Sequence, residues 1–339
     1  MNEAKINKLF KRIACSKSIY EATLFIENTT GDFTLCKEYN RTIDSPMLMA
    51  SITKLFTTTC ILAMLQEKKL SLQDKISQYL NHEAIKKLHI YKNKDYSSAI
   101  TIANLLFQTS GLPDFYLDGV GSVFSKVKES DFSFTFDDEL IWTKSMKPRF
   151  APVSPKKAYY ADINFDLLGK IIENVLQCSL QQAFERYIFN PLGLKNTYLA
   201  GTAEDFVPHT YYKSQRLERP MFIRSCFASG GAVTTARELM LFMKAFYTSK
   251  LFDKTILPQL EKSNPLQMSF YPIRYAGGYM SMDASLPFGK KVKLMGHAGS
   301  TGSFAFYAPE RDLFFVGDLV QMASPAAGVR LVMQAALSV

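Results

Sequence analysis

The feature that most constrains this chain is the position of its period-two stretches, which fall at its two ends. Ile19 to Glu27 and Asp32 to Tyr39 alternate apolar and polar residues and are joined at Asn28-Thr-Thr-Gly-Asp32, a hairpin signal. The alternation returns only at Tyr275 to Met282, Lys291 to Met295, Ser303 to Tyr307 and Leu313 to Leu319, the last two joined by the turn Ala308-Pro-Glu-Arg-Asp312. Two N-terminal strands alone are marginal in water, so the economical fold brings both ends into one sheet. Residues 3–16 and 324–338 read as terminal helices that cover it. Between the ends the spacing turns helical and loop-rich. Helical readings include a start at Ser71, Ile100 to Phe107, Phe165 to Leu176, Leu180 to Phe189 and Thr234 to Tyr247. The expectation is an α+β fold. An antiparallel sheet flanked by terminal helices carries a large, mostly helical insertion. Residues 1–70 and 251–339 build the α/β part and residues 71–250 the helical part. A cleft between the parts is the natural place for a site.

Composition narrows the function classes. With 339 residues, the chain is long enough for one large or two moderate cores. It has no apolar run of about 18 residues, so no membrane span is expected. The N-terminal stretch lacks the apolar core of a signal peptide, and as written the chain is expected in the cytoplasm. Five scattered cysteines form no C-x-x-C pair, and four histidines have no H-E-x-x-H spacing. Neither a disulfide framework, nor a metal site, nor a cofactor is expected. The net charge of +9 comes from dispersed Lys and Arg without a nucleic-acid-binding motif, which points to a solvated surface. The expected partner is a small molecule or short peptide, and the oligomeric state stays open.

The chemistry is sought at Met49-Ala50-Ser51-Ile52-Thr53-Lys54, just ahead of the longest apolar segment, Leu55 to Leu65. Three S-x-x-K pairs occur: Ser51/Lys54, Ser125/Lys128 and Ser154/Lys157. Ser125 lies in a charged stretch and Ser154 in a proline-interrupted loop. Only Ser51 opens a buried-type helix, which would place Lys54 one turn on over the same face. An N-cap serine with a surface lysine fits the local pattern as well. A capping box, however, would place Glu or Gln where Lys54 stands, and a cation in the first turn opposes the helix dipole.

A serine–lysine site needs a further proton carrier and two N–H groups for an oxyanion. Tyr160, in Tyr159-Tyr-Ala-Asp-Ile-Asn-Phe165, is the candidate carrier; packing is its alternative reading. Gly296-His-Ala-Gly-Ser-Thr-Gly302 lies between two strands, where glycines permit close backbone approach. There His297 offers a hydrogen bond or positive field near Lys54, or is simply a satisfied turn histidine.

Together, Ser51-Ile-Thr-Lys54, Tyr160-Ala-Asp162 and His297-Ala-Gly299 match the order of the S-x-x-K, Y-x-N and K/H-x-G elements of serine penicillin-recognising enzymes. The chain resembles class C β-lactamases, related DD-peptidases and β-lactamase-like esterases over about residues 15 to 335. Leu70 to Leu80, Leu105 to Pro113, Leu167 to Glu173, Pro191 to Thr197 and Ser229 to Ala236 add to the resemblance in the same order. It implies a β-lactamase/transpeptidase-like fold with the site at the junction of its two parts. It also implies roles. Ser51 attacks an acyl carbonyl, Lys54 and Tyr160 shuttle protons, and the N–H groups of Ser51 and Ser300 hold the oxyanion. Asp162, His297, Gly299 and Gln108 would line the substrate site.

Three departures stand out. Asp162 replaces the usual Asn, turning a donor into an acceptor-only carboxylate. That would keep Lys54 charged and favour Tyr160 as base. Gln108 replaces a histidine, and Lys156 stands near the usual P-G turn. The expected function is a serine hydrolase working through an acyl-Ser51 intermediate on an ester, a D-amino-acid peptide or amide, or a β-lactam. The alternative is a penicillin-binding or sensor protein acylated without turnover.

Overall fold

A computed structural model of the protein describes residues 3–119, 121–153, 157–285 and 291–338. Ser154 and Lys156 lie outside the described residues. Both chain ends do meet in one antiparallel sheet of eight strands. In chain order its strands are β1 (Ala22–Glu27), β2 (Thr34–Tyr39), β3 (Asn264–Pro265), β4 (Arg274–Tyr275), β5 (Met280–Ser285), β6 (Lys291–Ala298), β7 (Phe304–Ala308) and β8 (Leu313–Asp318). Their spatial order is β3-β4-β5-β6-β7-β8-β1-β2. The hairpin pairs Ala22 with Tyr39 through Glu27 with Thr34, and β1 then pairs with β8, Leu24 opposite Gly317. That last pairing joins the two ends of the chain.

The longer helices are α1 (Glu3–Ala14), α2 (Thr53–Gln66), α3 (Phe136–Ser145), α4 (Ile163–Leu176), α5 (Ala236–Tyr247) and α6 (Ala326–Leu337). Alternation along β7 shows which face each covers. Phe304 points to the face where Gly328 of α6 packs, and α1 lies against α6. Tyr307 points to the opposite face, where it meets Tyr247 of α5 and stacks on Phe314 at 4.3 Å. The sheet is therefore covered on both sides. Helix α5, placed in the insertion by the sequence reading, packs on the sheet instead. Its apolar face carries Leu239, Phe242, Met243 and Phe246, all buried.

Two elements differ from expectation for local reasons. The strand expected over Tyr275 to Met282 is split into β4 and β5. The Gly277-Gly278 pair makes a turn there, and Gly278 (φ +88°) comes so close to Thr58 of α2 that a side chain has no room. The helix expected from Ser71 is reduced to one 3₁₀ turn, Ile76–Gln78. The carbonyls of Leu72 and Asp74 accept from Ala103 and Ile102 N–H, which diverts them from a helical ladder.

Helix α2 runs through the middle of the protein. Every residue from Thr53 to Met64 is buried, so its hydroxyls must bond inside the protein. Thr58 and Thr59 donate to the Lys54 and Leu55 carbonyls, and Thr57 to that of Ala228. Phe56 meets the edges of Phe184, Phe189 and Phe242 at 5.6, 5.5 and 4.6 Å. Among the described residues no helix is long and apolar enough to cross a membrane.

Phe56→Ala would open a cavity at this crossing. It is expected to lower unfolding stability by about 3–5 kcal/mol in urea titrations, and a loss below about 1 kcal/mol would mean the cluster repacks freely.

Candidate active site

Ser51 does not sit in α2 itself. It occupies a 3₁₀ turn, Ala50–Ile52, which leads into α2. Ala50 has a left-handed φ of +45°, an uncommon conformation for a residue with a Cβ. Such strain persists only where the surroundings hold it, and here three contacts do so. The Met49 N–H donates to the Ala232 carbonyl, the Met49 carbonyl accepts from Ser303 Oγ at 3.0 Å, and Gly299 packs on Ala50. A Cβ on Gly299 would collide with Ser303 Oγ and come within 2.7 Å of the Met49 carbonyl oxygen. Gly299 is buried; its part is to let the end of β6 close on the nucleophile's turn, which brings Ser300 to the wall that Ser51 shares.

Lys54 is fully buried in the first turn of α2. Its ammonium donates to Ser51 Oγ at 3.2 Å, Asp162 Oδ1 at 2.6 Å and the Ser229 carbonyl at 2.7 Å. Three N–H bonds thus meet three acceptors. The ring of Tyr160 adds a cation–π contact at 5.1 Å. The structure therefore brings Ser51, Lys54, Tyr160 and Asp162 together. Asp162 directly precedes α4 but does not cap it with its side chain; the carboxylate turns to Lys54 instead.

The Tyr160 hydroxyl is buried and has no hydrogen-bond partner among the described residues. Burial, and then the nearby Asp162 charge, push its acidity well below that of an ordinary phenol, while the approach of Ser51 works the other way. Tyr160 is thus held as a phenol, which favours a proton donor over the resting base suggested by the sequence. Its backbone is clamped by Gln267, which accepts from Tyr160 N–H at 3.0 Å, and its ring lies 5.2 Å from that of Phe270.

Two expected substrate contacts play other parts. Gln108 is completely buried beneath the site, where its Oε1 accepts from Ala161 N–H and Asn164 Nδ2. It fixes the Tyr160–Asp162 loop and does not reach the pocket. His297 is also completely buried. Its Nε2 lies 3.2 Å from the Tyr275 hydroxyl and its Nδ1 2.9 Å from the Ala298 carbonyl, an arrangement that suits a neutral ring protonated on Nδ1. Burial and the Lys54 charge push its pKa down to about 3, so it adds no positive field.

Sequence reasoning missed the acidic groups around this centre. Asp166, fully buried on α4, accepts from Ser229 N–H at 2.9 Å and so steadies the carbonyl that Lys54 uses. Burial, then Asp162, raises its pKa to about 8. Asp114 accepts from the N–H groups of Tyr116, Leu117 and Asp162, and burial, then Asp162, raises it well above the carboxylate range. Glu139 of α3 is buried and likewise raised. These carboxyls come from segments far apart in sequence, and no spacing rule connects them.

Ser51, Asp162, Ser229 and Ser300 open onto a pocket whose remaining wall is mostly apolar and aromatic, with Phe115, Tyr116, Phe134 and Phe222 prominent. A buried serine–lysine–tyrosine centre at the floor of such a pocket, between a sheet and a helical layer, defines an acyl-transfer class of site. The family model described as Beta-lactamase matches residues 36–328, and the chain belongs to that family. It is 26% identical over 215 residues to the D-alanyl-D-alanine-carboxypeptidase/endopeptidase AmpH of Escherichia coli (strain K12), a match covering 63% of this chain and 52% of that protein. The chain thus spans about half the length of that relative. Protein flp of Staphylococcus aureus (strain NCTC 8325 / PS 47) is 32% identical over 169 residues, 49% of this chain and 29% of that protein. Among solved structures, the D-stereospecific amidohydrolase from Streptomyces sp. superposes with a TM-score of 0.79 at 20% identity, covering 99% of this chain and 98% of that one. EstCE1, a hydrolase with promiscuous acyltransferase activity, superposes with a TM-score of 0.80 at 17% identity, covering 99% and 97%. These likenesses show the β-lactamase/transpeptidase-like fold.

Two substitutions test the geometry. Asp162→Asn removes the carboxylate 2.6 Å from the Lys54 ammonium. The basic limb of the kcat/KM–pH profile is expected to shift, and an unmoved profile would count against the coupling. Gly299→Ala is expected to lower kcat by about 10²-fold, the scale of a misplaced reacting group, with the folded state retained by circular dichroism; wild-type kcat would show that the close approach is not needed.

Proposed function

We propose that the protein is a serine hydrolase working through an acyl-Ser51 intermediate on amides or esters with an apolar acyl group. The observation that carries this reading is the Lys54 ammonium, buried between Ser51 Oγ and Asp162 at the floor of an apolar pocket. Lys54 first hands a proton across the 2.6 Å bond to Asp162 and, so freed, takes the proton of Ser51 as its Oγ attacks the carbonyl carbon. The N–H groups of Ser51 and Ser300 receive the developing oxyanion. Tyr160, kept as a phenol, gives its proton to the leaving nitrogen or oxygen and regains one from the water that hydrolyses the acyl-enzyme, while Asp162 returns its proton through Lys54 to Ser51 Oγ as the acyl group departs.

The charges narrow the substrate. A C-terminal carboxypeptidase substrate or a penicillin brings a free carboxylate, which needs a cation to offset its desolvation. His297 is neutral, Lys54 is already paired, and the guanidinium of Arg219, the cationic side chain among the described pocket residues, donates to the carbonyls of Val127, Lys128 and Glu218. Neutral amides and esters fit this wall better than carboxylate-bearing peptides or β-lactams. Amino-acid amides are the substrates named for the D-amino acid amidase of Ochrobactrum anthropi, which shares the fold with a TM-score of 0.80 at 19% identity.

Turnover of a p-nitrophenyl ester, a D-Ala-D-Ala peptide and a chromogenic cephalosporin is followed together with intact mass. The ester is expected to be turned over fastest, and Ser51→Ala to lose about 10⁴-fold or more of the rate. A stable Ser51 adduct without turnover would replace the hydrolase by an acylated sensor. Equal activity of Ser51→Ala on every substrate would overturn the mechanism.

A further inference from the structure

The pocket holds a group that the acyl-transfer steps leave unused. Glu139 sits on α3, in the pocket wall with Ser51 and Asp162, and only 2% of its surface is exposed. Its Oε2 is buried without a hydrogen-bond partner among the described residues. An orphaned buried carboxyl oxygen is costly, and few are retained in a folded protein without a reason. No salt bridge to Glu139 forms among the described residues. Lys170 of α4, whose charge acts on Glu139, is itself 2.9 Å from Glu173 and lies over the rings of Phe136 and Phe227. The other groups acting on Glu139 are Asp162 in the same pocket wall, Asp166 buried on α4, Asp138 on its own helix, and the Cys226 thiol. Carboxyls outnumber cations here, with the Lys54 ammonium already committed to Asp162. What the pocket offers an entering group is therefore a carboxyl without a charge partner, since the Lys54 ammonium is paired with Asp162 and the Arg219 guanidinium is taken up by backbone carbonyls.

The wall that Glu139 shares with Ser51 is mostly apolar and aromatic, the surface that an acyl side chain would meet. We propose that Glu139 recognises an ammonium group on the acyl part, making the preferred substrate an apolar, free-amino aminoacyl amide or ester. The inference rests on the acyl-Ser51 reading and adds the substrate class to it. Phe115, Phe134 and Phe222 supply the apolar contact for the side chain of such a residue. In the empty pocket, burial and then Asp166 and Asp162 keep Glu139 protonated. An entering ammonium takes the place of that proton, so binding releases one proton to solvent.

The experiment compares kcat/KM for phenylalanine p-nitroanilide, as separate D and L enantiomers, with that for 3-phenylpropionyl p-nitroanilide, which lacks only the amino group. Wild-type protein is expected to prefer one amino enantiomer by about ten-fold or more, and Glu139→Gln to shrink that ratio by a similar factor. A wild-type ratio near one, or an equal loss on both substrates in Glu139→Gln, overturns the proposal. A second measurement needs no variant: phenethylamine is expected to inhibit at least about ten-fold more tightly than phenethyl alcohol, with proton release in a weakly buffered indicator solution. Equal inhibition by the two also overturns it. Acylation of Ser51 by p-nitrophenyl 3-phenylpropionate, read by intact mass, reports separately on the acyl-enzyme. If that adduct forms while the amino preference is absent, the ammonium assignment fails and the hydrolase reading stands.

Discussion

A positive charge buried at the start of a buried helix is the constraint on which the rest of this structure depends. Taking the Lys54 ammonium out of water costs several kcal/mol unless every N–H finds an acceptor. The acceptors come from three places: Ser51 one turn earlier, Asp162 at the entry to α4, and the carbonyl of Ser229. Each of those is fixed in turn. Asp166 holds Ser229, Asp114 holds the Asp162 backbone, and Gln108 holds the loop between Tyr159 and Asn164. Loss of any one would leave the lysine partly unsatisfied, so packing and chemistry are the same set of contacts.

The excess of carboxyls around that lysine shapes the electrostatics of the pocket. Asp114, Asp166 and Glu139 are all pushed upward, chiefly by burial and then by Asp162 for the first two and by Asp166 and Asp162 for Glu139. Like charges this close cannot all ionise, so the protons they retain leave one carboxylate, Asp162, to neutralise one ammonium. The neutral His297 belongs to the same logic, since a second buried cation beside Lys54 is disfavoured. Asp162, at the last position of the Tyr160-Ala-Asp162 element, supplies the carboxylate that makes the pair.

Much of the architecture was legible in the sequence because periodicity is local. The hairpin, α4, α5 and the last two strands were found within a few residues of where they lie. Errors arose where a longer-range contact overrode the local pattern. Gly277-Gly278 broke an apparently continuous strand because α2 passes against it, and the Ser71 helix lost its ladder to the segment at Ile102. Helix α5 was assigned to the insertion by its place in the chain, yet its apolar face packs on the sheet through Tyr247 and its neighbours.

For the site, the sequence by itself picked out the side chains that the fold brings together. A serine, a lysine three residues on, a tyrosine and a glycine-rich strand end were all readable from residue type and order. Tertiary structure alone decided what they are and what surrounds them. It showed that burial holds Tyr160 as a phenol and His297 neutral, that Gln108 lies beneath the site bonded to Ala161 and Asn164, and that Asp162 pairs with Lys54 while Asp166 lies close by. The physical reason is that burial and charge neighbourhood set protonation, and both are made by segments that meet only when the chain has folded.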